Sequence, residues 1–334
     1  MWLTSSSIGR KLIMAITGAC LVLFVTFHVL MNAVAIVWPT AYNQVCEFLG
    51  ANWYALIASA GLALLFVIHI IYALWLTIQN RNARGNDRYC VTSRPKGVEW
   101  SSKNMLVLGF VIIAFLVVHL IQFWYKMQWQ EICGQWYTCG EATFPAAAGT
   151  LFLQLAFEQW WTPVIYIIGF ICLWFHMNHG FWSMFQTAGW NNGIWLARLK
   201  KIAQAWTSVV ILLFIAQAAV FYIQASRGYY YTNTELQEQY IESFRNEIQN
   251  EMMELQAEYT EAQSTGDYAK LQDIQMRAQQ LQAKFESQVN TIKKLAEGFN
   301  KPATTEIVAE ETEITAETEA EAPAQENSAN QTNE

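Results

Sequence analysis

LIMAITGACLVLFVTFHVLMNAVAIV, residues 12–37, places one imidazole, His28, inside an otherwise apolar run longer than the ~20 helical residues needed to cross a bilayer core. In hydrocarbon every backbone N–H and C=O has to be satisfied within the segment, so such a run is read as a helix. An imidazole at that depth is costly without a partner, which makes His28 a functional candidate. Four more runs of the same kind follow, at residues 55–78, 104–126, 162–186 and 202–225. His69, His119 and His176 sit in comparable positions in the first three of these.

Depth sorts the four histidines. Counting inward from Lys11, Gln79, Lys103 and Gln186, His28 and His119 lie 17 and 16 residues in, roughly 25 Å along a helix. His69 and His176 each lie 10 residues in, roughly 15 Å. Two layers of two histidines are the pattern expected of two bis-histidine haems in a helical bundle. His28 and His119 would ligate the outer haem iron, and His69 and His176 the inner one. A fifth histidine, His179, is only 7 residues from Gln186 and falls outside the inner layer. It shares a helix face with His176, where it could meet a haem propionate or a partner protein. Gly18, Gly61, Gly109 and Gly169 precede the four histidines by 7–10 residues. Small residues there let a flat ring or a neighbouring helix approach, and they are also ordinary packing residues in membrane helices.

The chain has 334 residues, 54% of them hydrophobic, with a formal net charge of −7. Residues 1–227 are apolar and rich in Trp and Phe, whereas residues 229–334 are polar and contain no Trp. The acidity belongs mostly to the second part. No basic patch points to nucleic acid. Arg10 and Lys11 flank the first run, Arg81, Arg84, Arg88, Arg94, Lys96 and Lys103 follow the second, and Arg198, Lys200 and Lys201 follow the fourth. The connections 38–54 and 127–161 hold no Lys or Arg. Positive connections stay inside, so the N-terminus is expected in the cytoplasm and the tail outside, in a multi-pass bacterial inner membrane protein. The first run is too long for a signal-peptide core and lacks a convincing cleavage site, so it is kept as a span.

Of six cysteines, Cys20 and Cys172 lie within spans, Cys46 in the first outer connection, and Cys133 and Cys139 in CGQWYTC of the second. Two readings of that last pair stay open: a disulfide in an oxidising space, or two reduced thiols. The spacing also suits a metal clip, for which no further ligand stands nearby.

SSSIGRKLIMAITG at residues 5–18, FHVLMN around His28 and FHMNHGFWSMFQTAGW from Phe175 resemble the cytochrome b subunit of succinate dehydrogenase and fumarate reductase. The register of His176, Gly180, Phe181 and Ser183 is similar to that family's fourth-helix signature. The resemblance covers about residues 5–225. It implies a five-helix, two-haem anchor that binds a flavoprotein carrying FAD and an iron–sulfur protein on the cytoplasmic side. Electrons would pass between that pair and a membrane quinone, menaquinone or a similar carrier. No dinucleotide fingerprint or iron–sulfur cysteine cluster is present in this chain, as a separate anchor requires.

The resemblance gives other residues roles. Arg10, Lys11, Arg81, Arg84 and Arg88 would pair with haem propionates or dock the iron–sulfur protein, or else serve only as orientation signals. The quinone site would lie near the outer haem beside an acid that moves protons. Glu47 is favoured for this, ahead of Glu158, Glu131 and Glu141. Some relatives carry a buried Glu two residues before the fourth ligand; this chain has Trp174 there.

The tail lies outside the resemblance. Ile241, Phe244, Ile248, Met252, Leu255 and Tyr259 recur at helical spacing. Leu271, Ile274, Ala278, Leu281, Phe285, Ile292, Leu295 and Phe299 do so after a turn at Gly266. This predicts a helical hairpin or coiled coil over 228–302 with Asp267 as N-cap, followed by a disordered acidic tail at 303–334. The hairpin would mediate self-association or contact an envelope protein, or would be a solvated appendage. The expected architecture is thus all-α: a di-haem bundle of five transmembrane helices at 1–227, the hairpin, and the tail. Two rival readings remain. One is a cytochrome b serving a hydrogenase or formate dehydrogenase. The other is a haem-free scaffold or transporter with structural histidines.

Overall fold

The computed structural model describes residues 6–84, 99–140, 142–190 and 192–300. Arg88, Arg94, Lys96, Glu141 and the segment 303–334 lie outside the described residues, as does the side chain of Arg84.

Helix α1 (Ser7–Val37) starts where the Ser6 hydroxyl accepts from Gly9 N at 2.9 Å, and it ends at Trp38 because the following proline cannot continue the ladder. Pro39 instead opens α2 (Pro39–Ala51), with its fixed φ at a first helical position. The connection expected to be a loop is therefore mostly helix. Then come α3 (Trp53–Arg84) and α4 (Trp100–His119). The third apolar run does not stop at Lys126. It continues from α4 through π-helical turns at Leu120–Trp129 and a last turn at Gln130–Ile132, so Lys126 lies on the helix. A short antiparallel ribbon, β1 (Tyr137–Cys139) with β2 (Ala142–Phe144), is the one departure from the all-α expectation among the described residues. The chain proceeds through α5 (Gly149–Phe157), α6 (Trp161–Thr187) and α7 (Trp195–Ser226). Arg198, Lys200 and Lys201, expected in a connection, lie in the first turns of α7.

Five helices are long and apolar enough to cross a membrane: α1, α3, α4 with its continuation, α6 and α7. Their outward faces carry Leu23, Val37, Ile57, Leu64, Val107, Ile168 and Leu212 exposed, the surface a hydrocarbon solvent would cover. Helix α6 is central and packs on α1, α4 and α7, while α3 leans mainly on α1. Gly169 of α6 lets α4 come close, since a Cβ there would meet the Phe115 ring at 2.5 Å.

One end of the bundle is capped. Helix α2, the ribbon and α5 form the cap, and the tail packs into it. After α7 the chain turns at Gly228, whose φ of 65° suits glycine, and a Cβ there would run into the Phe299 ring. The short helix α8 (Tyr229–Thr232) leads to α9 (Thr234–Thr265), capped by Asn233 Oδ1 on Leu236 N at 3.0 Å. Gly266, at φ 69°, makes the turn into α10 (Tyr268–Asn300), and Asp267 Oδ1 accepts from Lys270 N at 3.1 Å, as the N-cap reading expected.

The base of the tail is no solvated appendage. Leu236, Tyr240 and Phe244 are 1%, 0% and 0% exposed, in one apolar core with Phe144, Phe152 and Phe221. The division expected near residue 228 runs through that core. Polar contacts tie the same parts. Thr150 Oγ1 lies 2.7 Å from Tyr240 OH, Asn43 Nδ2 donates to Gln239 Oε1 at 2.9 Å, and Thr143 N donates to Gln288 Oε1 at 3.2 Å. Farther out α9 and α10 run antiparallel over a thinner seam of Leu255, Ala262 and Ile274. Arg277–Glu258 at 2.8 Å and Lys270–Glu261 at 3.4 Å cross it. Exposed pairs of this kind contribute about 0.2–1 kcal/mol each, so the apolar seam carries the pairing.

Tyr240→Ala empties a closed site and is expected to cost about 3–5 kcal/mol, read as a fall in thermal midpoint of the purified chain. Tyr240→Phe keeps the ring but takes the donor from the Tyr230 carbonyl and should cost about 1–3 kcal/mol. A midpoint unmoved by Tyr240→Ala would show that the tail does not hold the cap. Burial first, and then the carboxylates of Glu251 and Glu131, push the Glu247 carboxyl up to about 7, against the opposing pull of Lys284 and a hydrogen bond with Trp136. A carboxyl raised on folding binds more protons in the folded chain, so stability falls as pH rises from about 4.5 to about 7. Glu247→Gln should flatten that slope in thermal melts across the same range.

Candidate functional site

The four histidines of the apolar runs form two facing pairs. His28 of α1 and His119 of α4 have ring centroids 5.8 Å apart, with planes at 85°. His69 of α3 and His176 of α6 are 6.3 Å apart, with planes at 61°. The depth count pairs them in the same way. Two imidazoles bound to one iron, each through a nitrogen about 2 Å away, put their centroids about 6 Å apart.

The first pair sits in an aromatic box. Phe24 stacks on His28 at 5.4 Å and Phe115 on His119 at 6.0 Å, while Phe123 and Phe214 close the sides. His119 Nδ1 lies 3.2 Å from Tyr166 OH, which donates to Gln122 Oε1 at 2.9 Å. Gln122 Nε2 in turn donates to Thr162 Oγ1 at 3.2 Å. His28 Nε2 faces Asn32 Nδ2 at 3.1 Å, and Asn32 Oδ1 accepts from Tyr42 OH at 3.4 Å.

In the second pair, His69 Nδ1 lies 3.1 Å from Thr17 Oγ1, whose proton goes to the Ile13 carbonyl at 2.9 Å. Gly18 leaves room beside it, where a Cβ would stand 3.5 Å from His69 Cε1. On α6, His176 Nδ1, Asn178 Oδ1 and Trp182 Nε1 are buried without a hydrogen-bond partner. Each such atom costs about 1–3 kcal/mol, and their position within two turns of one helix is where a polar group from outside the chain would be accommodated. Pair separation, anchored Nδ1 atoms at His69 and His119, and these orphaned atoms fit haem ligation. The Asn32 amide on His28 Nε2 is the one contact that ligation would have to displace. Among the described residues no three His, Cys, Asp or Glu side chains converge on a point.

Other expected residues fall at the two ends of the bundle. Arg10 lies over the Trp75 ring at 5.4 Å, and Arg81 is exposed at the end of α3. Glu47 is exposed on α2, and Glu131 at the end of α4's continuation lies near the Gly50 backbone. Glu158 is half-buried between α5 and α6. Burial raises its carboxyl above the ordinary range, opposed by hydrogen bonds with Gln154 and Gln159 and by Lys126. Its neighbour Phe157 meets the Tyr166 ring at 5.2 Å. Trp174 donates to Ser208 Oγ at 3.0 Å and fastens α6 to α7. Cys133 and Cys139 are both exposed and free.

Sequence reading missed Glu99. It accepts from Lys200 at 2.8 Å and approaches His179 Nδ1 at 3.4 Å, so the start of α4 is tied to α6 and α7 at the basic end. It missed Thr17, Asn32, Gln122 and Tyr166 as well, although a polar residue inside an apolar run is itself a signal.

Compared with protein-family models, curated proteins and solved structures, the chain matches none.

Burial pushes the Glu99 carboxyl up, but hydrogen bonds from Lys200 and His179 outweigh it, and its pKa lies below the ordinary value. The stability this adds is complete above that ordinary value of 4.5 and is lost as pH falls through the lowered one. Glu99→Gln is expected to lower the thermal midpoint at pH 7 and to shrink its fall on acidification below pH 5. An unchanged acid limb would count against the tie.

Proposed function

We propose that this chain is the membrane-anchor cytochrome b subunit of a succinate:quinone oxidoreductase. The observation that carries the proposal is the meeting of four intramembrane histidines as two pairs, at the separation that one iron between each would require. Haem b at each pair would supply one-electron transfer. His28 and His119 would hold the haem toward the capped end, and His69 and His176 the one toward the basic end. The aromatic box around the first pair excludes water, and Thr17 and Tyr166 orient His69 and His119.

On this reading the basic end, with Arg10, Lys11, Arg81, Lys103, Arg198 and Lys201, faces the cytoplasm of a bacterial inner membrane. There it would dock the iron–sulfur protein and, through it, the FAD flavoprotein. The cap and tail are then periplasmic. Menaquinone or a similar quinone would react toward the capped end, where Glu158, with its raised carboxyl, suits proton exchange better than exposed Glu47. A hydrogenase or formate dehydrogenase anchor would use the same pairs and differs in the soluble partner that co-purifies. The hydrogen bond that Asn32 places on His28 Nε2 favours a second reading, a haem-free scaffold or transporter whose histidines satisfy one another's helices.

Haem content per polypeptide of the purified complex, with a dithionite-reduced minus oxidised spectrum, separates these readings. Two b haems per chain are expected. His28→Ala, His119→Ala, His69→Ala and His176→Ala should each leave one, and His179→Ala should leave both. Reoxidation by fumarate or reduction by succinate would identify the partner enzyme. Absence of haem from the wild-type complex would leave the scaffold or transporter reading.

A further inference from the structure

The hydrogen bonds around His119 and His69 have a direction. Tyr166 has one proton, and it goes to Gln122 Oε1 at 2.9 Å. Gln122 Nε2 passes a proton on to Thr162 Oγ1 at 3.2 Å. With the Gln122 amide oriented this way each step donates away from the histidine, and the Tyr166 oxygen meets His119 Nδ1, 3.2 Å away, as an acceptor. In that arrangement His119 carries its proton on Nδ1 and leaves Nε2 bare. At His69 the same logic holds with fewer members. The Thr17 hydroxyl has the Ile13 and Met14 carbonyls at 2.9 and 3.1 Å, and donating to either it meets His69 Nδ1, 3.1 Å away, as an acceptor. The surroundings keep these bonds from trading with water. Gln122, Thr162, Tyr166 and Thr17 are all buried, and Phe115, Phe157 and Phe170 ring Tyr166 with centroids 5.1–5.9 Å away.

We infer that Tyr166 and Thr17 are positioning residues that hold His119 and His69 in the Nδ1–H tautomer, so that each presents Nε2 as a lone-pair donor before any metal arrives. This rests on the cytochrome reading for its purpose but not for its test. The partner on the second nitrogen of a metal-bound imidazole fixes its tautomer and raises its basicity. A hydroxyl that can only accept performs that task without adding a charge to the bilayer interior. The first α-helical stretch of α4 ends at His119 and the π-helical turns begin at Leu120. Turns of that kind are frequent at functional sites, and this one carries Gln122 to Tyr166 and Thr162.

The test uses two conservative variants of the purified complex, Tyr166→Phe and Thr17→Val, which keep shape and remove the acceptor. With haem present, a redox titration followed optically should show two one-electron waves. Losing the acceptor weakens imidazole donation to iron and favours the reduced state. Tyr166→Phe should therefore raise one midpoint by about 59 mV, a tenfold change in the reduced-to-oxidised ratio, and leave the other in place. Thr17→Val should raise the other. If the wild-type complex contains no haem, the cytochrome reading fails, and the inference is read directly by 15N NMR of the histidine-labelled chain. His119 and His69 should then be Nδ1–H tautomers, each lost in its own variant. Both midpoints unmoved in the haem-loaded variants would overturn the inference. So would an Nε2–H tautomer at His119 or His69 in the haem-free wild type, or tautomers unchanged by the substitutions. A lowered thermal midpoint with unmoved potentials would mark the two residues as packing only.

Discussion

A polar side chain carried into an apolar helix has to be met by another helix, because hydrocarbon offers it nothing. That constraint orders the bundle. Gln217 of α7 donates to the Val29 carbonyl of α1 at 2.7 Å, Trp174 of α6 bonds Ser208 of α7, and Tyr166 of α6 joins His119 and Gln122 of α4. Helix α6 takes part in most of these joints, and it is also the helix packed on three others. Where the polar atoms of α6 are not met, at His176, Asn178 and Trp182, they lie beside the second histidine pair, which is why those atoms carry weight in the proposed function.

The two ends of the bundle are finished in different ways. At the basic end, the tie among Glu99, Lys200 and His179 is ionic and partly exposed. At the capped end the closure is apolar. Chain from three separate regions, α2, the ribbon with α5, and the base of the tail, contributes to one core around Phe144, Phe152, Tyr230 and Tyr240. That core joins segments far apart in the sequence. Gly228 makes that return feasible, since any side chain there would displace the Phe299 ring.

The tail shows how burial changes along a single hairpin. Near the cap, α9 and α10 bury large aromatic side chains against the rest of the chain. Farther out their seam narrows to Leu255, Ala262 and Ile274, helped by Leu271, Ala278 and Leu281. A seam of that size pairs two helices without anchoring them to anything else, so the tail's attachment is decided at residues 229–244 and at Gln288 and Ile292.

The five apolar runs, a histidine inside each of the first four at one of two depths, and the pairing by depth were legible in the sequence. Run length and the rise of a helix set those quantities whatever the neighbours do. The hairpin turn at Gly266 with its Asp267 cap was legible for the same reason, being local backbone chemistry. Tertiary structure alone decided the rest. That a helix would occupy residues 39–51, that Tyr240 would be sealed beneath the cap, and that Glu99 would find Lys200 about a hundred positions away are outcomes of packing between segments remote in the chain. The tautomer-setting partners of His119 and His69 belong to this second group as well. A threonine or tyrosine in an apolar run announces a need for a hydrogen bond, but only the crossing of α1 with α3, and of α4 with α6, chooses which histidine supplies it.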